Sequence, residues 1–317
     1  MIRIDFESWQ KKPECEAWWT AWAQTAGDAT RAVVDKYETG VKLTEKDLDS
    51  DIWGELKKML LKYCLDGKCA YCEISIAESR QSGHQEHFRP KLKVNYRKPG
   101  GKKIINARIK DPEGQPIDHP GYFWLVYNYK NLLPSCEKCN TGMGKKNQFP
   151  LSDDQRYVML VQLTPAELAA LKNPAAATPS GKWPGYYYLA PEDLDAREPR
   201  TLLHPYFDKP REHLVFGHGG VEAPREDPST KQPSKLGQDS IQVLNLHDPN
   251  LRNARFKEQI NAAMRYSAAH LDAVSRGLQP EECKRLAWAA VEAVCTGKAP
   301  FSAAANDALV GHFGPPV

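Results

Sequence analysis

The chain has 317 residues, of which 41% are hydrophobic and 26% charged, a composition typical of water-soluble globular proteins. It holds no run near the roughly 18 uninterrupted apolar residues of a membrane helix, and its first residues lack the pattern of a secretory signal. We therefore expect no membrane span and a cytoplasmic location. The net charge of +3 is uneven, because residues 60–150 hold 16 Lys and Arg against 8 Asp and Glu and so carry +8.

Residues 1–66 are predicted to form a helical segment. Apolar residues recur at steps of three and four, first at Cys15, Trp18, Trp19, Trp22 and Ala23, and then at Ile52, Trp53, Leu56, Leu60 and Tyr63. Gly27 predicts the end of the first helix, and Gly67 the end of the second. Since the tryptophans keep helical spacing, we interpret them as packing core and not as a platform for stacking bases.

Residues 67–152 are predicted to form the functional core, with a basic hairpin inserted in it. Lys91–Lys98 and Lys102–Lys110 alternate polar and apolar residues on either side of Pro99-Gly100-Gly101, which is a strong turn signal. Between His87 and Lys110 there are nine basic residues and no acidic one. The apolar segment Tyr122–Tyr127 has the character of a strand or of a buried helix.

Residues 153–317 are predicted to be irregular at first and then helical. Half of the chain's 24 prolines lie between Pro150 and Pro233, which favours short elements and loops. Asp248-Pro249 predicts the start of a long helix, which Gly277 would end, and a further helix is expected from near Pro280 to about Gly297. The long helix carries one apolar stripe, formed by Ile260, Met264, Ala268, Leu271 and Val274.

Four of the eight cysteines form two C-x-x-C pairs, Cys69/Cys72 and Cys136/Cys139, with 63 residues between them. Zinc thiolate sites need four ligands at tetrahedral corners, and each C-x-x-C turn supplies two with little backbone strain. A thioredoxin-like redox pair would leave the second pair without a role. We therefore predict a structural Zn²⁺ site, closed to chemistry, that clamps the ends of the intervening loop together.

The residues between and beside these pairs resemble the HNH endonuclease family, in its subgroup with a Cys₄ zinc frame. Cys69–Cys72, Glu86–Lys91 and Asn131–Asn140 match, in order, the string C-x-x-C … E-H-F-x-P-K … N-L-x-P-x-C-x-x-C-N. The resemblance implies an α+β architecture with a ββα-metal core that holds a divalent cation against the scissile phosphate. The order of parts is also similar to the HNH nucleases that accompany an ATPase in bacterial anti-phage systems of the Septu kind, and the stretch Leu203–Tyr206 adds to this likeness.

The candidate catalytic residues are His87, Asn131, Glu86 and Asn140. His87 suits the role of general base, because an imidazole titrates near neutral pH. Glu86 and Asn140 offer the oxygen ligands that Mg²⁺ or Mn²⁺ prefers, although the family often has Asp before the base and His in the last position. Asn131 is expected to hydrogen-bond backbone across the loop and to fix the orientation of His87.

Four basic residues are predicted to contact nucleic acid, with DNA favoured: Arg89, Lys91, Lys145 and Lys146. We expect the basic hairpin to contact the phosphate backbone and not to read bases. The helical flanks exceed what phosphate chemistry needs, and the resemblance implies that they dock a partner protein, an ATPase.

Three alternatives stay open from the sequence. His84 could be the base in place of His87. A zinc nucleobase deaminase would use H-x-E followed by P-C-x-x-C, which residues 84–86 and 134–139 nearly supply, but Ser135 interrupts the second motif and the first C-x-x-C pair would have no role. A non-catalytic zinc module that binds nucleic acid would explain the cysteines and the basic hairpin but not the Glu86-His87 pair.

Overall fold

The structure is a computed structural model that describes residues 1–5, 12–76, 83–98, 103–111, 113–142, 144–152, 156–172, 194–217, 222–227 and 229–316. Helices and small antiparallel sheets are mixed along the chain, so the predicted α+β class is confirmed. Within the described residues, no helix is both long enough and apolar enough to cross a membrane.

The N-terminal segment forms two helices, α1 (Pro13–Glu38) and α2 (Ser50–Tyr63). The predicted stop at Gly27 is wrong, because α1 continues for eleven residues beyond it. A helix-interior glycine costs only about 1 kcal/mol, and the buried residues Val33 and Val34 extend the packed face past that point. Trp19 and Trp22 are buried as predicted, and the Trp22 Nε1 atom donates to the carbonyl of Ile52 on α2 at 2.7 Å.

A two-stranded antiparallel sheet lies at the centre of the predicted core. Strand β1 (His84–His87) pairs with β6 (Leu132–Ser135), so that Glu86 lies opposite Leu133 and His87 opposite Leu132. The short helix α3 (Glu137–Asn140) follows β6 directly and carries the second cysteine pair at its start. The 44 residues between β1 and β6 form an insertion at this sheet.

The insertion contains two further hairpins. Strand β2 (Asn95–Arg97) pairs with β3 (Ile104–Asn106), and β4 (Arg108–Lys110) pairs with β5 (Pro116–Asp118). The first pair confirms a hairpin between the two predicted arms, but it is shorter than predicted, because residues 108–110 pair with 116–118 instead. The predicted turn at residues 99–101 lies outside the described residues. Tyr122–Tyr127 is buried throughout, but it forms a 3₁₀ turn (Phe123–Leu125) and neither a strand nor an α-helix.

The C-terminal part begins with short elements and ends with long helices. The short elements are α4 (Pro165–Lys172), α5 (Pro210–His213), β7 (Leu214–Phe216) paired with β8 (Glu222–Pro224), and α6 (Lys235–Val243). The long helices are α7 (Pro249–Ser275), α8 (Pro280–Cys295) and α9 (Ser302–Phe313). The predicted start of α7 is confirmed, because the Asp248 carboxylate accepts from the backbone N–H of Asn250 at 2.9 Å.

One large hydrophobic cluster contains residues from all three predicted segments, from Met1 to Ala304. A second, smaller cluster lies between α7, α8 and α9 around Tyr266 and Trp288. The predicted apolar stripe of α7 belongs to neither cluster, because its five residues are exposed, with Met264 65% and Leu271 66% accessible. The buried side of α7 is the opposite face, which includes Ala262, Tyr266 and Ala273.

Candidate metal centre and catalytic cleft

The four cysteines of the two C-x-x-C pairs come together, with their sulfur atoms all within 4.8 Å of one another. Tetrahedral zinc with bonds of about 2.3 Å would place sulfurs about 3.8 Å apart, and the Cys72 and Cys136 sulfurs are 3.6 Å apart. All four residues are buried. Cys69, Cys72, Cys136 and Cys139 therefore fit a closed structural zinc site, and within the described chain they are the one group of three or more such ligands.

The thiols of this cluster are coupled to one another, and their mutual hydrogen bonds raise the pKa of Cys72 and Cys139. Hydrogen bonds from Cys139, Cys69 and Cys72 hold the pKa of Cys136 far below that of a free thiol. The thiolate is the form that binds metal. The first C-x-x-C turn, Cys69–Cys72, is anchored to the central sheet, because the N–H of Ala70 donates to the carbonyl of Pro134 on β6 at 2.9 Å.

Glu86 on β1 is buried and forms an ion pair with Lys145, whose Nζ lies 2.6 Å from the Glu86 Oε1 atom. The same ammonium donates to the backbone carbonyl of His87 at 2.9 Å. Burial raises the pKa of Glu86 and lowers that of Lys145, and each charge opposes the shift of the other. A cation that bound the Oε1 atom would have to replace this ammonium group.

Lys145 reaches Glu86 because the chain turns back tightly after α3. The N–H of Lys145 donates to the carbonyl of Cys139, and the N–H of Lys146 donates to the carbonyl of Asn140, both at 2.8 Å. Only glycine fits at position 144, since a Cβ there would lie 2.3 Å from the carbonyl oxygen of Lys138. The second C-x-x-C pair and the Glu86 carboxylate on β1 are therefore joined through one short segment of the chain.

His87 is 6% exposed, and its Nε2 atom lies 3.0 Å from the carbonyl oxygen of Val126. Because a carbonyl can only accept, Nε2 carries the proton, and Nδ1 is the lone-pair nitrogen of the neutral ring. Burial holds the pKa of His87 well below its ordinary value, and the nearby cations Lys91 and Lys145 add to this shift. The ring is therefore neutral at neutral pH, which is the state a general base requires.

Asn131 bridges two loops, as the sequence predicts. Its Oδ1 atom accepts from the N–H of Arg89 at 2.7 Å, and its Nδ2 atom donates to the carbonyls of Arg89 and Leu125 at 3.1 and 3.2 Å. The side chain does not itself orient His87, because the partner of that ring is Val126. Asn131 instead fixes the backbone at Arg89, two residues after the histidine, and at Leu125, next to the carbonyl that holds its ring.

Two of the four predicted phosphate contacts are buried within the protein. Arg89 is fully buried, and its guanidinium pairs with Glu198 at 3.1 Å and with Asp195 at 2.9 Å. Lys145 is fully buried against Glu86. Neither cation has a surface from which to reach a phosphate, so we correct the prediction for both.

The other two cations remain accessible to solvent. Lys91 lies 4.8 Å from the centre of the Trp53 ring and 3.0 Å from the Oε2 atom of Glu45. Lys146 is exposed and has a left-handed backbone, with φ at 50°. Asn140 ends α3 and is half-buried beside this turn.

The aromatic side chains that pack around His87 were not predicted from the sequence. The ring of Trp53, read as helix core, lies edge-on to His87 at 5.1 Å and stacks on Tyr127 at 5.8 Å. The N–H of Asp49, the N-cap of α2, donates to the Tyr127 hydroxyl at 2.6 Å. Helical spacing predicts that Trp53 packs in the core, but it carries no signal of which element covers it, and the residue is half-buried.

The stretch Leu203–Tyr206 supports the same region from the far side. The His204 ring packs 4.2 Å from Phe88, and its Nε2 atom lies 2.9 Å from the carbonyl oxygen of Lys130. The Tyr206 hydroxyl donates to the carbonyl of Leu132 at 3.0 Å. This stretch therefore buttresses both ends of the insertion.

His84 lies on β1 opposite Ser135 and shares the strand face of Glu86. It is half-buried and stands outside the sulfur cluster of the described residues. The deaminase alternative needs His84 as a zinc ligand and has no use for Cys69, whereas the cluster contains Cys69 and lacks His84.

Fold and site together define an α+β protein with a candidate tetrathiolate metal centre beside a buried histidine. Among curated proteins, the chain is similar to the Septu protein PtuB of Bacillus mycoides (strain KBAB4), with 32% identity over 204 residues, 64% of this chain and 50% of the relative. It is also similar to the Septu protein PtuB of Bacillus thuringiensis, with 28% identity over 167 residues, 51% of this chain and 47% of the relative.

A third relative bears the other Septu name. The Septu protein PtuA of Bacillus mycoides (strain KBAB4) is 26% identical over 193 residues, which is 61% of this chain and 19% of the relative. The chain thus spans about half the length of the PtuB relatives that it matches and a fifth of the PtuA relative. No protein-family model and no solved structure matches the chain.

Proposed function

We propose that this protein is a metal-dependent HNH endonuclease that hydrolyses phosphodiester bonds of nucleic acid, with DNA favoured. One observation carries the proposal: a buried, neutral His87 stands next to Glu86 on a strand whose partner strand leads directly into the second cysteine pair. Two antiparallel strands and a following helix, braced by four cysteines, are the arrangement that a ββα-metal core requires. Here the long insertion separates the two strands in sequence.

His87 would act as the general base. The Nε2 atom donates its proton to the carbonyl of Val126. The lone pair of Nδ1 can therefore accept a proton from the attacking water. Asn131 keeps the backbone around His87 in place, and Trp53 closes one side of the ring. Lys91, beside the same histidine, would neutralise the phosphate from the open side.

Glu86 and Asn140 are the residues that would hold the catalytic cation. A bound Mg²⁺ or Mn²⁺ would neutralise charge on the phosphate and stabilise the leaving oxygen. The donor types fit a hard cation, but Lys145 occupies the Oε1 atom of Glu86. Binding therefore requires that the Lys145 ammonium moves away from the carboxylate.

The decisive experiment is plasmid nicking in Mg²⁺ or Mn²⁺, with and without the partner protein from the native operon. His87→Ala should lower the rate by a factor of at least about 100, the low end of what a general base contributes, at unchanged zinc content. His84→Ala is the matched control, since it lies on the same strand, and it should cut normally. Wild-type activity of the His87 variant would refute the assignment of the base.

One observation favours a second candidate, a zinc module that binds nucleic acid without cutting it. The one carboxylate of the predicted catalytic set is already neutralised by Lys145. Such a module would bind DNA but would show no nicking with either metal, with or without the partner protein.

The biological setting that we propose is anti-phage defence, together with an ATPase partner. The similarity to proteins named Septu PtuB and PtuA supports the setting. The exposed apolar stripe of α7 supports the partner, because a run of large apolar side chains on one helix face typically marks a protein contact. We propose that the ATPase partner binds to this stripe.

A further inference from the structure

A groove opens between the β2–β3 hairpin, the turn after α3, and helix α6. Its volume is about 770 Å³, within the range of pockets that take a small ligand. Arg97 lines it from the hairpin, Lys146 and Gln148 from the turn, and Gln238 and Gln242 from α6. The groove thus joins the predicted core to the C-terminal region.

The chemistry of the lining selects for an anion that carries hydrogen-bonding groups. Its ionisable side chains are Arg97, Lys146 and His247, and its lining residues include no carboxylate. Four side-chain amides complete the polar part, from Gln148, Gln238, Gln242 and Asn245. A groove of similar size, at about 720 Å³, is different because its lining includes Glu38 and Asp118.

Two buried polar atoms in this groove lack a partner within the described residues. Gln148 is 4% exposed, and its Nε2 atom donates to the carbonyl of Gly144 at 3.2 Å, while its Oε1 atom is buried and unpaired. The Arg97 Nε atom is also buried and unpaired. Because an unpaired buried polar atom costs free energy, an acceptor and a donor from a ligand would be stabilised here.

The groove and the Glu86-His87 site are linked through two neighbouring residues, Lys145 and Lys146. Lys146 lines the groove, and its N–H donates to the carbonyl of Asn140. Its neighbour Lys145 reaches the carboxylate of Glu86. The groove and the candidate catalytic residues therefore contact one short segment of the backbone.

We propose that this groove binds the nucleic-acid strand next to the scissile phosphate and reads its bases. Arg97 and Lys146 contact the phosphates, and the amides of Gln148, Gln238 and Gln242 contact base edges. Amide side chains are suited to this because each presents a donor and an acceptor together. The inference rests on the proposed nuclease function, whose family likeness assigns no role to α6, and it predicts a preference among bases.

The test is equilibrium binding of fluorescein-labelled 20-nucleotide single strands of different base composition, and of one duplex, to the zinc-loaded full chain in buffer without Mg²⁺, Mn²⁺ or chelator. The variant Gln238→Ala/Gln242→Ala removes two exposed side chains one turn apart on α6, so it should fold normally. We expect its binding of the preferred strand to weaken about tenfold or more and its preference among bases to disappear. Gln279→Ala, an exposed glutamine remote from the groove, is the control and should bind as the wild type does.

The outcome separates this inference from the nuclease proposal. Loss of base preference in a protein that cuts nothing would support the groove and refute the nuclease. Normal nicking with an unchanged KM and unchanged binding in the double variant would refute the groove alone. A wild-type chain that binds none of the strands, or binds all compositions equally, would also overturn the inference.

Discussion

At the scale of single residues, the ion pair of Glu86 with Lys145 controls whether the Glu86 carboxylate can bind a divalent cation. The pair is buried, and its atoms are 2.6 Å apart. A buried ion pair gains little over an apolar pair, but removal of one partner leaves an uncompensated charge that costs about 3–5 kcal/mol. Lys145 therefore stabilises the carboxylate in the state without a divalent cation.

This competition gives a test of the cation site. Lys145→Met leaves the Glu86 carboxylate buried without its counter-charge, so we expect a lower melting temperature in buffer without Mn²⁺. Mn²⁺ should then restore stability, because it can take the place of the ammonium at Glu86. Thermal unfolding with and without millimolar Mn²⁺ measures this shift.

The double variant Lys145→Met/Glu86→Gln is the control for the cation site. It lacks the carboxylate and should not respond to Mn²⁺ more than the wild type does. An equal response of the single and double variants would show that Glu86 does not bind the metal.

At the scale of elements, two buried His-Pro turns share one hydrogen-bond pattern. His119 accepts from the N–H of Gly121 at its Nδ1 atom, and its Nε2 atom lies 3.1 Å from the carbonyl oxygen of Val158. His204 likewise accepts from the N–H of Tyr206, and its Nε2 atom lies against the carbonyl of Lys130. Since the intervening proline has no N–H, the next residue closes the turn onto the ring. Both rings fit only in the neutral form.

The pH dependence of stability follows from these turns. Burial lowers the pKa of His119 to about 4 and that of His204 well below 6.5. The unfolded chain binds these protons first as pH falls, so their stabilisation is complete above about pH 6.5 and is lost below it. As the pH falls below about 6.5, the unfolding free energy should therefore fall by about 1.4 kcal/mol per pH unit for each of these histidines.

Urea unfolding of the wild type and of His119→Gln between pH 7.5 and 4.5 checks this dependence. The variant should be less stable at pH 7.5 but should lose one histidine's share of the slope. Parallel pH profiles for the two proteins would contradict the assignment to His119.

At the scale of the whole molecule, the residues that flank the first C-x-x-C turn, Cys69–Cys72, hold the C-terminal helices to the core. Lys68, next to Cys69, donates to the carbonyl of Lys298 at 2.9 Å, just beyond α8. Glu73, next to Cys72, accepts from the N–H of Ala303 at 3.2 Å, at the start of α9. The metal site therefore supports contacts far outside its own segment.

We expect one zinc ion per chain and a large loss of stability without it. Cys136→Ser should abolish zinc binding and lower the melting temperature by roughly 10 °C or more, because the free energy of metal binding is folding free energy. Metal analysis with thermal unfolding measures both changes. Cys283→Ser, a buried cysteine on α8 outside the cluster, should keep its zinc. A zinc-free protein of unchanged stability would refute a structural role.

The exposed stripe of α7 gives the test of the partner. Met264→Asp/Leu271→Asp adds charge to a solvent-exposed face, so it should leave the melting temperature unchanged but prevent co-purification with the proposed partner protein. Val161→Asp is the control, because Val161 is 62% exposed at a distant site, and it should co-purify normally. Co-purification of the double variant at wild-type yield would show that the partner binds elsewhere.

The sequence by itself determined the four cysteines, the α+β class, the basic hairpin and the start of α7, because each depends on short spacings and local chemistry. It also predicted the backbone bridge of Asn131. Whether the Glu86-His87 site cuts nucleic acid, and whether the three predicted segments are separate domains, stay predictions.

Only the tertiary structure decided which charged and apolar side chains are accessible. Arg89 is buried because Glu198, 109 residues away in the chain, pairs with it, and Lys145 is buried because it meets Glu86, 59 residues away. The stripe of α7 has perfect helical spacing, yet it faces outward because α8 and α9 pack on the other side. Burial depends on partners distant in sequence, and periodicity along one element carries no record of them.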